Sequence, residues 1–126
     1  MLVPLNTDNV GGGVHWVLAH VDTQEGTVAI LNSSNSIGNG QELFKRVKAI
    51  STKWKDYKRA DIRVEAKQTD DVNCGVFVCY FIEQLCLNPT RQVIPRMRDG
   101  PNAYRRHIAQ KLIDASAALE RVGDSQ

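Results

Sequence analysis

The chain has 126 residues, 42% of them apolar and 24% charged, with a formal net charge of +2. That suffices for one domain with a real core, while the small and dispersed charge excludes a basic nucleic-acid-binding stripe. No apolar run approaches the ~20 residues that span a bilayer, and the first residues lack a signal-peptide pattern.

Met1 to Leu5 is apolar and reads as a short strand. Asn6 to Gly13 holds three consecutive glycines and is expected to be a mobile loop. Val14 to Val21 (VHWVLAHV) has the character of a strand buried on both faces, with His15 near its start. Asp22 to Gly26 is a turn, and Thr27 to Leu31 returns as the second strand of a hairpin. Asn32 to Gly40 is a polar loop. Gln41 to Tyr57 is expected to be a helix, because Leu43, Phe44, Val47, Ile50 and Trp54 recur at three- and four-residue steps. Ala60 to Ala66 alternates apolar and charged residues, as a half-exposed strand does.

Ala66 to Cys86 (AKQTDDVNCGVFVCYFIEQLC) is the most apolar stretch. Its run from Val76 is apolar on every helical face, the pattern of a buried helix. Its β-branched Val76, Val78 and Ile82 keep a short strand open as the alternative. Cys79 and Cys86 read as core packing. Asn88-Pro89 ends this segment, and Thr90 to Gly100 is a basic loop. Pro101 to Val122 is a long helix with an apolar stripe through Tyr104, Ile108, Leu112 and Leu119. Arg91, Arg96, Arg98 and Arg105-Arg106 read as a solvated basic face. A hairpin, a further strand and three helices make an α+β domain over residues 1–122, followed by a tail at 123–126. Three cysteines within one stretch are neither a disulfide framework nor a zinc spacing, which points to a reducing compartment.

Three residues stand where regular structure gives way to loop. His15 begins one strand, Asn32 follows the next, and Cys74 opens the apolar helix. If the strands pair as a hairpin about Asp22 to Gly26, His15 falls opposite Ser33, one step from Asn32. At a helix start, exposed N–H groups and the macrodipole favour negative charge, the form in which a thiol is nucleophilic. A thiolate needs a base within reach, and the base needs a group to orient it; Cys74, His15 and Asn32 have the chemistry for those roles. His20 is the rival base, at the far end of the same strand. Each residue alone also has an ordinary reading: Cys74 as a buried small hydrophobe, His15 as a strand-end histidine, Asn32 as turn chemistry. Gln68, six residues before Cys74, is either an exposed loop residue or a side-chain donor to a developing oxyanion.

Taken in order, Val3-Pro4-Leu5-Asn6, His15-Trp16, Leu31-Asn32-Ser33, Gln68, and Asn73-Cys74-Gly75 before an apolar helix resemble the ubiquitin-like-protein proteases, the cysteine peptidases that process and remove SUMO. Tyr104-Arg105-Arg106-His107-Ile108 is similar to the last helix of that family. The resemblance implies a papain-like α+β fold, with Cys74 as nucleophile, His15 as general base and acid, Asn32 as its orienting partner and Gln68 in the oxyanion hole. It implies that Trp16 covers a channel for the Gly-Gly tail of a ubiquitin-like modifier, with no cofactor and no metal. The expected partner is therefore such a modifier or its lysine conjugates, and neither nucleic acid nor membrane.

The sequence departs from the family at three places. Asn32 stands where the family usually has Asp. Asp70 and Asn73 exchange the family's Asn and Asp before the cysteine. The match also begins inside the family's domain, so the expectation is a partial domain whose remaining part is supplied elsewhere, by another chain for instance. Asn32 and the partial match motivate a second reading, a weak or inactive protease-like domain acting as a binding module; a third is an acyltransferase on the same scaffold, against which Trp16 and Gln68 argue. The reducing compartment is then the nucleus, the cytoplasm or, for a secreted effector, the interior of a host cell.

Overall fold

Along Trp16–Asp22 the alternation of a strand sends Val17, Ala19 and Val21 to one side and Leu18 and His20 to the other. All four aliphatic residues up to Val21 are buried, so this strand must be covered on both faces. The computed structural model describes residues 1–7, 15–34, 40–70 and 72–124. In it this strand, β2, lies inside a four-stranded sheet of order β1-β2-β3-β4. Its antiparallel neighbours are β1 (Leu2–Asn6) and β3 (Thr27–Leu31), and β4 (Lys58–Arg59) runs parallel to β3. Gly26 closes the hairpin with φ of +67°, a left-handed conformation that only glycine adopts without strain, and its N–H donates to the Asp22 carbonyl at 2.8 Å.

Helix α1 (Gln41–Lys48) covers one face. Leu43, Phe44 and Val47 pack with Val17, Ala19, Val21, Val28 and the indole of Trp54. Helix α2 (Cys74–Leu87) packs on β2 over the other face, where Leu18 and Leu31 pair across the strands. Its Phe77 and Phe81 rings stand 6.4 Å apart in a tilted arrangement. Fully burying each such side chain contributes roughly 1.5–3 kcal/mol, so the two layers dominate the stability of the sheet. A second, two-stranded parallel sheet joins β5 (Arg63–Val64) to β6 (Val93–Ile94), with Ile94 fully buried. Tyr80 of α2 donates its hydroxyl to the Pro95 carbonyl at 2.7 Å and so ties the helix to that segment. Burial raises the Tyr80 phenol above its ordinary value, which keeps it a donor.

Residues 1–96 form one compact unit and residues 97–126 another. The second unit contains α3 (Gly100–Asp124), whose expected apolar stripe leaves Leu112 and Leu119 exposed to solvent. The mixture of sheet and helices is α+β, as the sequence pattern predicts.

Several expectations are corrected. The helix expected over 41–57 stops at Lys48. The Ser51 hydroxyl accepts from Lys53 N–H at 3.2 Å and starts a separate 3₁₀ turn, Thr52–Trp54, a local bond that competes with helix continuation. The strand expected over 60–66 is divided: β4 pairs with β3 and β5 pairs with β6, with a crossing segment between the two sheets. The observed hairpin pairs Leu18 with Leu31, one residue away from the expected register, so that its continuation sets His15 against Ser34 instead of Ser33. Helix α2 is not buried all round, because Gly75, Cys79 and Cys86 share a solvent face; the two cysteines are free and exposed, not core. Val14, the glycine loop at 8–14, most of the polar loop after Ser34, Asp71 and the end of the tail lie outside the described residues.

Candidate active site

His15 directly precedes β2, and its carbonyl accepts from the N–H of fully buried Thr7 at 2.8 Å, an anchor supplied by the β1 side of the sheet. Asn32 directly follows β3. The structure brings these two together: His15 Nε2 lies 2.7 Å from Asn32 Oδ1. The backbone N–H of Ser34 also donates to Asn32 Oδ1, at 3.0 Å. A backbone N–H can only donate, so this atom is the amide oxygen, and the imidazole must carry its proton on Nε2. In the neutral ring Nδ1 is then the free acceptor, the state a general base needs. Asn32 thus offers the imidazole an acceptor oxygen, as a carboxylate would, but without charge.

The segment after β3 is clasped by residues 67–68. Gln68 N–H donates to the Ser33 carbonyl at 2.8 Å, and Lys67 Nζ donates to the Asn32 carbonyl at 3.1 Å. Partial burial lowers the pKa of that ammonium below the usual lysine value. The hydroxyl of Ser33, almost fully buried, donates to Gln68 Oε1 at 2.5 Å, and Gln68 Nε2 donates to the Asp70 carbonyl at 2.5 Å. Both ends of the Gln68 amide are therefore assigned. One Nε2 hydrogen remains for a further acceptor, because the amide nitrogen carries two.

Asp70 builds the turn into α2. Its Oδ1 accepts from the N–H groups of Val72 and Asn73 at 3.0 Å each, and its Oδ2 accepts from Asn73 Nδ2 at 2.7 Å. The Asp and Asn noted in the sequence thus meet here, with Asn73 as donor and Asp70 as acceptor. Cys74 follows as the first residue of α2 and is 9% exposed. Asn73 makes no side-chain cap hydrogen bond to the first turn of α2, and its Nδ2 donates to Asp70 instead. No hydrogen bond joins Cys74 Sγ to His15 among the described residues. Trp16, at the head of β2 and paired with Asn6 of β1, is 43% exposed, well placed for a role at the surface.

The sequence reading names His15, Asn32, Gln68 and Cys74 but gives no role to Ser33, Lys67 or the Asp70–Asn73 lock. The adjacency of Ser33 to Asn32 was the available signal; that its hydroxyl turns inward to Gln68 depends on the fold. Among the described residues no group of three or more His, Cys, Asp or Glu is placed to hold a metal ion. Nor is any helix among them long and apolar enough to cross a membrane.

A thiol at a helix start, an imidazole held by an amide oxygen and a side-chain amide on a neighbouring loop are the parts of a thiol-protease-type centre on an α+β scaffold. The chain belongs to the Ulp1 protease family: the family model for its C-terminal catalytic domain matches residues 1–111. It is also similar to the Sentrin-specific protease 3 of Mus musculus and that of Homo sapiens, 26% identical to each over 113 residues, which cover 78% of this chain and 18% of each relative. The chain thus spans less than a fifth of the length of these curated relatives.

Proposed function

We propose that this chain carries the catalytic centre of a papain-like cysteine isopeptidase that cleaves after the Gly-Gly tail of a ubiquitin-like modifier of the sentrin (SUMO) class. The observation that carries the reading is the 2.7 Å contact of His15 Nε2 with an Asn32 oxygen whose identity the Ser34 N–H fixes, leaving Nδ1 as the base. His15 takes the thiol proton, and Cys74 Sγ attacks the carbonyl of the terminal glycine. The oxyanion accepts from the Cys74 N–H and the remaining Gln68 Nε2 hydrogen. As the C–N bond breaks, His15 returns the proton to the departing lysine amine, and a thioester forms. Water, deprotonated by the same imidazole, then hydrolyses the thioester and restores the thiol. Trp16 covers the glycine tail, whose lack of side chains is what a narrow channel selects. Three free cysteines suit a reducing compartment, nuclear or cytoplasmic.

A binding module on the same scaffold is the second reading. It is favoured by the uncharged Asn32 and by the absence of a Cys74–His15 hydrogen bond among the described residues. Incubation with a SUMO-class modifier bearing a C-terminal electrophile separates the two. Catalysis gives an adduct on Cys74 that is lost in Cys74→Ala and His15→Ala. Measurable binding with no adduct overturns the isopeptidase reading in favour of the module.

A further inference from the structure

Helix α3 lies in the second compact unit, residues 97–126, and runs for 25 residues from Gly100 to Asp124. A helix in a protein draws most of its stability from packing one apolar face on something else. Here that face is largely exposed. Ile108, Leu112, Ala115, Leu119 and Val122 recur at steps of four, three, four and three residues, which sets them in one narrow stripe, the spacing of a two-helix seam. Leu112 is 66% exposed, Leu119 73% and Val122 55%, while Ile108 is half-buried. Those three exposed residues lie past the catalytic-domain match, which ends at residue 111, so the proposed peptidase chemistry gives them no task.

The charges along the helix favour one kind of partner. Arg105 and Lys111 lie in its N-terminal half, Asp114 and Glu120 in its C-terminal half, and all four are exposed. At 3.6 residues per turn, Arg105 and Glu120 flank the stripe on one side, and Lys111 and Asp114 flank it on the other. A second copy laid antiparallel, with Ile108 opposite Leu119 of the other chain, brings Arg105 toward Glu120 and Lys111 toward Asp114 across the seam. Each pair then lies within about 3 Å of the same height along the axis. A two-fold axis repeats every such contact, and the two helix dipoles oppose each other. A parallel pair would instead set Arg105 against Arg105 and Lys111 against Lys111. Arg106 and Arg121 fall on the far side of the helix, clear of the seam.

We propose that α3 pairs antiparallel with α3 of a second copy of this chain, through the stripe Ile108, Leu112, Ala115, Leu119 and Val122. The apolar stripe supplies the affinity. The exposed ion pairs add little to it and set the orientation. An overlap of about 27 Å between two single helices is a small interface, so the dimer is weak and depends on concentration. The pairing is independent of the thiol centre, and neither reading depends on the other.

The test is analytical ultracentrifugation of the whole chain from about 10 µM to about 1 mM. A reductant is present, because Cys79 and Cys86 are exposed free thiols that form bridges of their own when oxidised. The expected result is a reversible monomer–dimer equilibrium. Leu119→Asp changes an exposed position and weakens the dimer at least about tenfold. Should circular dichroism show that this variant loses its helix, Leu112→Asp is expected to act in the same direction. Glu120→Arg turns two attractions into two repulsions and weakens the dimer about fivefold or more. Adding Arg105→Glu to it restores association to within about twofold of wild type. A chain that stays monomeric at millimolar concentration overturns the proposal, as does a dimer that Leu119→Asp and Leu112→Asp both leave intact. A Glu120→Arg dimer as tight as wild type overturns the antiparallel arrangement.

Discussion

Asn32→Asp isolates what the missing charge costs. The side chains are nearly isosteric, so the carboxylate can accept the same two bonds, from His15 Nε2 at 2.7 Å and from Ser34 N–H at 3.0 Å. Under the proposed mechanism, what changes is the stabilisation of the imidazolium formed when Cys74 gives up its proton. A hydrogen bond to a charged group is worth ~1.5–3 kcal/mol net against ~0.5–1.5 for a neutral one. Unit charges about 4 Å apart attract by ~1 kcal/mol in water and ~4 at the effective dielectric near a protein surface. This site is only partly buried, which argues for the lower part of that range. A gain of ~1–2 kcal/mol in the ion-pair state corresponds to a rate increase of about 5- to 30-fold. The assay is the pseudo-first-order rate of Cys74 alkylation by a small electrophile, run beside adduct formation with the electrophilic modifier. Asn32→Ala is expected to move both rates the other way, by about tenfold or more, since the ring loses its orienting acceptor. Unchanged rates in Asn32→Asp, with His15→Ala still abolishing them, would refute the reasoning, because the 2.7 Å contact would then be structural only.

Four further outcomes follow from the same structure. Ser33→Ala leaves Gln68 Oε1 without its 2.5 Å donor; a stability loss of about 1–2 kcal/mol in urea titration is expected, with slower modifier labelling at unchanged modifier affinity. Asn73→Asp sets two carboxylates where Asn73 Nδ2 and Asp70 Oδ2 now meet at 2.7 Å, and destabilises the turn into α2; the double change Asp70→Asn/Asn73→Asp restores stability to within about 0.5 kcal/mol of wild type, read from the denaturant midpoint. Tyr80 has a folded-state pKa raised by burial, so its contribution is complete below the ordinary value of 10.0 and is lost as pH rises beyond it; comparing denaturant midpoints at pH ~8 and ~11 should reveal an alkaline loss that Tyr80→Phe diminishes. Phe81→Ala empties a fully buried position between α2 and the sheet and should cost about 3–5 kcal/mol by thermal or chemical unfolding.

What the sequence makes legible is what periodicity and punctuation encode. The strand Thr27–Leu31 has the expected bounds, and the apolar run ends at Leu87 before Asn88-Pro89, because β-rich composition and a proline stop are local signals. The meeting of His15 with Asn32 is legible through the hairpin, even though the register is one residue from the expected one; register depends on the turn's hydrogen bonds, here Gly26 N–H to the Asp22 carbonyl, which composition does not reveal. The two-residue strands β4 and β5 are not legible, because a strand that short is defined by its partner, and those partners are distant in the chain. Cys79 and Cys86 look buried in a window that is apolar on every side, yet which face meets solvent is decided by how α2 lies on β2.

The loop segments of the site obey a different logic from the core. Polar contacts hold Asn32: the Ser34 N–H on its side-chain oxygen, Lys67 on its carbonyl, and Gln68 N–H on the carbonyl of its neighbour Ser33. Those same two residues lead, through Asp70, to the turn that launches Cys74. Lys67, Gln68, Asp70 and Asn73 therefore act at two places, one at the partner of the imidazole and the other at the start of the helix that carries Cys74. Hydrogen bonds are directional where apolar packing is not, and this lets a short segment fix geometry that burial alone would leave loose. The contact between Asn73 Nδ2 and Asp70 Oδ2 needs one donor facing one acceptor, and on that ground the double exchange at positions 70 and 73 is expected to keep the turn.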